Sequence, residues 1–108
     1  MRTLKFIVEG QILKQDPRCD FANLVPGSEN YLQVEVSFCK EWAGCAKVAG
    51  FYSLMGQEYP PQVLKENNTC MIPAEATSKK DFKIQIIGRK PDGLKIKTNK
   101  VVISQNGG

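Results

Sequence analysis

The side chains best suited to chemistry in this chain are its four cysteines, because the sequence contains no histidine. Without an imidazole, the chain by itself cannot build a hydrolase with a histidine base, a two-histidine zinc site or a facial-triad iron site. The cysteines are Cys19, Cys39, Cys45 and Cys70, and no two of them form a C-x-x-C pair. We therefore expect no metal site, no cofactor and free thiols, with a Cys39–Cys45 bridge as the one exception left open.

The remaining polar residues do not form a recognisable catalytic motif. Acidic residues are scattered over predicted strands and turns, without a close pair for acid–base work. The glycines match neither the G-x-G-x-x-G pattern nor the P-loop pattern, which are the loops that cradle phosphate. The sequence therefore predicts a protein that is not an enzyme.

Basic residues concentrate in the C-terminal third of the chain. The formal net charge is +4, and the segment Lys79–Lys100 holds eight basic residues against Asp81 and Asp92. Such a segment can attract nucleic acid or an acidic partner. It can also be the solvent side of strands, because apolar residues alternate with lysines such as Lys95 and Lys97. We do not expect nucleic-acid binding, since no recognition motif accompanies the charge.

A two-residue alternation of apolar and polar side chains predicts strands along nearly the whole chain. It is clearest in the segment Tyr31–Phe38. Further strands are predicted at Thr3–Leu13 with a bulge or bend at Gly10, at Lys47–Tyr52, at Tyr59–Leu64 as an edge strand or one that begins at Gln62, and at Thr69–Ile72, Phe82–Gly88, Leu94–Thr98 and Val101–Ser104. One helical turn is predicted at 73–76, and the tail is expected to fray from about residue 105.

These seven or eight short strands predict an all-β protein, an antiparallel sandwich or barrel that forms a single domain over residues 1–108. No apolar run approaches the roughly 20 residues that a membrane-spanning helix needs. The segment Leu4–Leu13 is interrupted by Lys5, Glu9 and Gln11, so we expect neither a membrane anchor nor a signal peptide there.

The alternation also identifies the residues expected to fill the core. They are Phe6, Val34, Val36, Phe38, Trp42, Phe51, Phe82, Ile84 and Ile86. Trp42 has two interpretations, a ring that stacks on a sugar or a ring set into the edge of the core. Its place directly after an alternating strand favours the core.

Short motifs follow one another in a particular order from Tyr31 to Ser104. They are Tyr31-Leu32 at the start of the alternating strand, Glu41-Trp42-Ala43-Gly44, Lys47-Val48-Ala49, Phe51, Val63-Leu64, Cys70-Met71-Ile72-Pro73-Ala74-Glu75, Phe82–Gly88 and Thr98-Asn99-Lys100-Val101. This order resembles the N-terminal domain of tail and baseplate proteins, of the baseplate upper protein-like kind, from phages and prophages of Gram-positive bacteria. The resemblance implies an immunoglobulin-like β-sandwich in a non-enzymatic structural protein of the virion, in the tail, the baseplate or the head. The implied partners are other virion proteins and further copies of the chain in a homo-oligomer.

The expected interaction surface combines aromatic and basic side chains: Tyr52, Tyr59, Lys79, Lys80, Arg89 and Lys90. The first strand, Thr3–Leu13, is the expected docking edge, because an edge strand offers main-chain hydrogen bonds to a partner. One alternative is a host-surface or carbohydrate-binding module that uses exposed rings near Trp42, Tyr52 and Tyr59. Another is a small intracellular inhibitor or nucleic-acid-binding accessory protein that uses the basic segment.

Overall fold

Two β-sheets packed face to face make up this protein, whose computed structural model describes residues 1–107. The strands in that range are β1 (Arg2–Glu9), β2 (Ile12–Gln15), β3 (Leu32–Phe38), β4 (Ala46–Tyr52), β5 (Gln62–Val63), β6 (Thr69–Met71), β7 (Asp81–Arg89), β8 (Lys95–Lys97) and β9 (Val101–Ser104). Sheet A has the order β2-β1-β3-β6. Sheet B has the order β5-β4-β7, with β8 and β9 both paired to the free edge of β7.

The helical elements of these residues are a 3-10 turn (Lys40–Trp42) and one short helix, α1 (Ala74–Thr77). Neither is long and apolar enough to cross a membrane. The predicted all-β sandwich is therefore confirmed.

A hydrophobic core lies between the inner faces of the two sheets. Alternate residues of each long strand point into it, as the two-residue period requires. The structure buries all but one of the residues expected there: Phe6, Val34, Val36, Trp42, Phe51, Phe82, Ile84 and Ile86. Phe38 is only half-buried, because β3 ends at this residue and its ring lies at the margin of the core, 5.3 Å between centroids from the ring of Trp42.

Strands β1 and β3 lie side by side and run parallel, which corrects the expectation of a wholly antiparallel sandwich. Their register begins with Arg2 opposite Leu32. Parallel neighbours cannot be joined by a tight turn and need a long crossover, and residues 16–31 supply it. The crossover packs onto sheet A through Phe21, whose ring meets Phe6 edge-on at 5.3 Å between centroids.

The predicted strand Thr3–Leu13 is a hairpin rather than one strand. Gly10 has φ 59°, in the left-handed region that glycine adopts without steric cost, and it forms the β1–β2 turn together with Gln11. Strand β1 has β2 on one side and β3 on the other. The expectation that Thr3–Leu13 forms an edge strand is therefore wrong for β1, and within this segment only β2 lies at an edge of sheet A.

The C-terminal tail is held in place through residue 107. Gln105 is 1% exposed, and its Nε2 donates hydrogen bonds of 2.8 Å to the carbonyl oxygens of Thr77 and Lys79. The Gly107 amide donates to a carbonyl oxygen of the crossover at 2.9 Å. The expected fraying is wrong for residues 105–107, and Gly108 lies outside the described residues.

Trp42 joins the two sheets at one end of the core, where its side chain is fully buried. Its indole Nε1 donates a 2.7 Å hydrogen bond to the carbonyl oxygen of Gly10, in the β1–β2 turn of sheet A. Its six-membered ring lies against Gly88 of β7, in sheet B, where an added Cβ would be 2.8 Å from Cζ3 of the ring. The approach is too close for any side chain, so this position requires glycine.

A β-bulge separates β8 from β9 along the edge of β7. The two registers differ by one residue, so Asn99 and Lys100 lie opposite the single residue Gln85. The bulge turns the side chain of Asn99 towards β2. There Oδ1 accepts a hydrogen bond from the Leu13 amide at 2.7 Å, and Nδ2 donates to the Leu13 carbonyl oxygen at 3.1 Å. Asn99 therefore connects the edge of sheet B to the edge of sheet A.

A methyl group at position 88 should destabilise the protein. In Gly88→Ala the new Cβ would lie 2.8 and 2.9 Å from two ring carbons of Trp42, and overpacking of this kind costs about 1–3 kcal/mol. Chemical denaturation should show that loss in the free energy of unfolding. Ser37→Ala, at an exposed position of β3, should change it by less than about 0.5 kcal/mol. Equal stability of the two variants would contradict the packing described for Trp42.

Removing the side-chain amide of Asn99 should expose the main-chain groups of Leu13 at the edge of β2. Asn99→Ala leaves two main-chain groups of Leu13 without their partner, at a cost of about 1–3 kcal/mol. Hydrogen exchange of the Leu13 amide should become faster in this variant. In Asn99→Asp a carboxylate oxygen still accepts from that amide, so its protection should largely remain. Unchanged exchange in Asn99→Ala would show that the connection does not order β2.

Candidate interaction surface

The outer face of sheet B combines apolar and basic side chains. It consists of the strand residues that alternate with core positions: Val63 of β5, Ala46, Val48, Gly50 and Tyr52 of β4, Asp81, Lys83, Gln85, Ile87 and Arg89 of β7, Lys95 and Lys97 of β8, and Val102 and Ser104 of β9. Its one carboxylate, that of Asp81, accepts a 2.6 Å hydrogen bond from the Ser104 hydroxyl. Val63 is 73% exposed and Val102 is 45% exposed. Since a sheet face that meets only water is expected to be polar, these residues indicate a face suited to contact with another molecule.

The outer face of sheet A differs because its charges are paired within the chain. Lys5 Nζ lies 4.0 Å from Glu35 Oε2, and Lys14 Nζ lies 3.3 Å from Glu9 Oε1. The one further ion pair within residues 1–107 is in the crossover, so no basic residue on the outer face of sheet B has an acidic partner within 4.0 Å in this range. The positive charge of sheet B is therefore available to a partner.

Three of these cations lie together at one corner of sheet B, and we call Arg89, Lys95 and Lys97 the basic corner. The register places Arg89 directly opposite Lys95, and Lys97 opposite Ile87. Like charges directly opposite each other on one face of a sheet destabilise it. An anion bound at this corner would relieve that repulsion.

A depression with a volume of about 270 Å³ adjoins the basic corner. It is lined by Val48, Gly50, Phe51, Tyr52, Glu58, Tyr59, Pro61, Ile87 and Arg89. Arg89 pairs with Ala46, the first residue of β4. Tyr52, the last residue of β4, forms an isolated β-bridge with Glu58. The depression therefore runs from a cationic end to an end with one exposed carboxylate, over an apolar middle formed by Val48 and Ile87.

The Tyr52 ring forms a fixed wall of this depression. It lies over Gly50, where an added Cβ would be 2.5 Å from the Tyr52 hydroxyl oxygen. That hydroxyl donates a 3.1 Å hydrogen bond to Gln85 Oε1, and Lys100 Nζ lies 4.0 Å from the centroid of the ring. Burial and the nearby charge of Glu58 raise the pKa of Tyr52, so the hydroxyl keeps the proton that it donates.

The structure brings some of the expected surface residues together and separates others. Tyr52, Tyr59 and Arg89 line the depression on sheet B. Tyr59 also lines a neighbouring hollow with Lys79 and Lys80. Lys90 lines neither of them, and it is half-buried in the connection between β7 and β8.

Aromatic rings are much less exposed than the carbohydrate-binding alternative expects. Tyr52 and Tyr59 are each 8% exposed, and Trp42 is fully buried. The expectation of exposed rings near these three residues is therefore wrong. Glycine at position 50 lets the Tyr52 ring lie flat on its own strand, and an alternation pattern does not reveal this orientation.

Sequence reasoning did not single out Val48, Gly50 and Ile87, or two lysines of the basic corner, as parts of an interaction surface. Val48 and Gly50 are apolar positions on the side of β4 opposite Ala49 and Phe51. A strand that is apolar on both sides is a signal that its outer face is covered. The sequence contains this signal, but it does not reveal the register that pairs β4 with β7 and β7 with β8.

The edges at β2 and β5 offer little room for an added strand. The main-chain groups of Leu13 in β2 are taken by Asn99, and Gln11 Nε2 donates a 3.0 Å hydrogen bond to the Lys97 carbonyl oxygen. Strand β5 begins at Gln62, one of the two starts foreseen from the sequence, and Pro60 and Pro61 before it have no amide hydrogen. The faces of the sandwich are therefore better suited to docking than these edges.

The cysteines are free thiols, including Cys39 and Cys45. Cys39 Sγ accepts a 3.2 Å hydrogen bond from the Gly10 amide, and Cys70 is buried in the core. Within residues 1–107, no three His, Cys, Asp or Glu residues are grouped so that they could hold a metal ion. Cys70 and Cys39 serve as small packing residues, because Cys70 belongs to the core and Cys39 packs against it.

Comparisons with protein-family models, with curated proteins and with solved structures find no match to this chain. The capabilities of the surface thus follow from its residues alone. A depression with an apolar middle beside unpaired cations offers apolar contact and charge attraction to a molecule that is apolar and acidic.

The thiol of Cys70 should be the least reactive in the folded protein. Burial raises its pKa to about 12, so at pH 8 almost none of it is thiolate, the form that alkylating reagents attack. Iodoacetamide at pH 8 should modify the half-buried Cys19 and Cys39 well before Cys70, as peptide mass spectrometry can measure. All cysteines should react at similar rates in guanidinium. Rapid labelling of Cys70 without denaturant would show that the core opens there.

Proposed function

We propose that this protein is a non-enzymatic structural component of a phage virion, an immunoglobulin-like β-sandwich that docks onto other virion proteins through the outer face of sheet B. The observation that carries the docking role is the contrast between the two sheet faces. Exposed apolar residues occur on both outer faces, such as Ile12 on sheet A and Val63 on sheet B. The faces differ in charge, because sheet A pairs its charges internally, whereas the cations of sheet B have no acidic partner in the described chain.

The virion assignment is supported by the order of motifs from Tyr31 to Ser104, which resembles the N-terminal domains of phage tail and baseplate proteins. The sandwich itself agrees with the fold that this resemblance implies. The parallel pairing of β1 with β3 is a departure from an all-antiparallel arrangement. It lies in sheet A and leaves sheet B antiparallel throughout.

A binding role is favoured over catalysis by the chemistry of the surface. The titratable residues that line the depression are Tyr52, Tyr59, Glu58 and Arg89. The pKa of Tyr52 is raised and its hydroxyl is already bonded to Gln85, so it is a poor acid–base group near neutral pH. The carbohydrate-binding alternative lacks the exposed aromatic platform on which sugars stack, because Trp42 is buried.

Self-association belongs to the same proposal, since virion components act as symmetric assemblies. We place the contact with other virion proteins on the outer face of sheet B, where the charge is unpaired.

Analysis of purified particles tests the virion role directly. Particles of the phage or induced prophage that encodes the chain are purified by density gradient, and their proteins are quantified by mass spectrometry. We expect the chain in a fixed stoichiometry to the major tail protein. A variant with Arg89→Glu, Lys95→Glu and Lys97→Glu should be depleted from the particles because it repels its docking partner.

The matched control is a variant with Lys14→Glu, Lys40→Glu and Lys65→Glu. It carries the same change in net charge at exposed positions outside the basic corner, and it should be incorporated normally. Absence of the wild-type chain from gradient-purified particles would contradict the virion role.

A further inference from the structure

The depression on sheet B is small for a ligand pocket. Its volume of about 270 Å³ lies just below the roughly 300–1,000 Å³ of pockets that hold free small molecules. Its middle is formed by Val48 and Ile87, which lie opposite each other on β4 and β7. One large apolar side chain of a partner protein suits this space, as anchor residues do at the centres of interfaces.

The charges around the depression specify what flanks that side chain. The basic corner lies at one end, and the register keeps Arg89 and Lys95 opposite each other with no carboxylate within 4.0 Å among residues 1–107. Carboxylates of a partner would accept charge-assisted hydrogen bonds from these cations. The guanidinium of Arg89 can donate two parallel hydrogen bonds to one carboxylate. The exposed carboxylate of Glu58 lies at the opposite end of the depression and would repel an acidic group there. The occupant is therefore apolar at one position and acidic only on the side that faces the basic corner.

The walls of the depression are organised before binding. Tyr52 is held by Gln85, whose Nε2 donates a 2.7 Å hydrogen bond to the Thr98 carbonyl oxygen at the start of the bulge. Lys100, within the bulge, lies over the outer side of the Tyr52 ring. Because these side chains are already fixed, a partner loses less free energy to ordering them.

From these observations we infer that the depression and the basic corner together bind an acidic segment of a partner protein. One large apolar side chain of the segment enters the depression, and its neighbouring carboxylates pair with Arg89, Lys95 and Lys97. The inference rests on the proposed docking role of the outer face of sheet B, and it specifies the partner's chemistry.

Selection from a random dodecapeptide display library tests this inference on the purified chain. The selected peptides should be enriched in Asp and Glu next to one aromatic or leucine residue. A synthetic copy of the most enriched peptide then serves as the probe in fluorescence anisotropy. Its affinity should fall as salt rises from 50 to 500 mM, because ion pairs at a surface are screened.

Two variants separate the charge contacts from the apolar contact. Charge reversal of the basic corner (R89E, K95E and K97E together) should weaken binding of the probe at least about tenfold. The control reversal (K14E, K40E and K65E together) should weaken it less than about twofold. Ile87→Gln should weaken binding while circular dichroism shows an intact fold. A probe in which the apolar residue is replaced by serine should bind the wild-type chain about as weakly as the original probe binds Ile87→Gln.

The inference is overturned if no peptide is enriched, if the enriched peptides are not acidic, or if the corner variant binds the probe as the wild type does. Tighter binding of single-stranded DNA or a cell-wall glycan at the same corner would also overturn it. These failures are distinct from the failure of the virion role. Incorporation into particles can persist without peptide selectivity, and acidic peptides can bind a chain that is absent from particles.

Discussion

The fold depends above all on the close contact between Trp42 and Gly88. A fully buried indole rests on the backbone of β7 in sheet B, and its nitrogen bonds to the Gly10 carbonyl in the first turn of sheet A. One side chain therefore sets the distance between the sheets at that end of the core. The contact also constrains the surface, because the strand that carries Gly88 on its inner side presents Ile87 and Arg89 on its outer side.

The bulge between β8 and β9 fixes the positions of two side chains outside the core. It directs Asn99 to β2 and leaves Lys100 above the ring of Tyr52. The same irregularity therefore closes an edge of sheet A and fixes a wall of the depression on sheet B. An edge that is closed in this way resists strand addition. Bulges are common beside functional sites for this reason, since they redirect side chains at small cost.

Much of the fold followed from local pattern, because a two-residue period reports directly on a strand with one buried side. The strand β9 and most of the core residues were predicted in this way. What failed depended on distant contacts. The parallel pairing of β1 with β3 requires a crossover without regular structure, and the burial of Gln105 depends on carbonyl oxygens near α1. The interaction surface was only partly foreseen, since Arg89 was named but its neighbours in space, Lys95 and Lys97, are brought to it by register.

Lysine footprinting of the chain in assembled particles and in isolation tests most directly whether the outer face of sheet B is the docking surface. Acetylation at limiting reagent reports which ammonium groups meet solvent, and Lys14 and Lys40, which lie outside sheet B, serve as internal references. If the outer face of sheet B is the docking surface, Lys95 and Lys97 lose reactivity on assembly while Lys14 and Lys40 keep theirs. If Lys95 and Lys97 remain as reactive in the particle as in the free chain, the docking surface lies elsewhere.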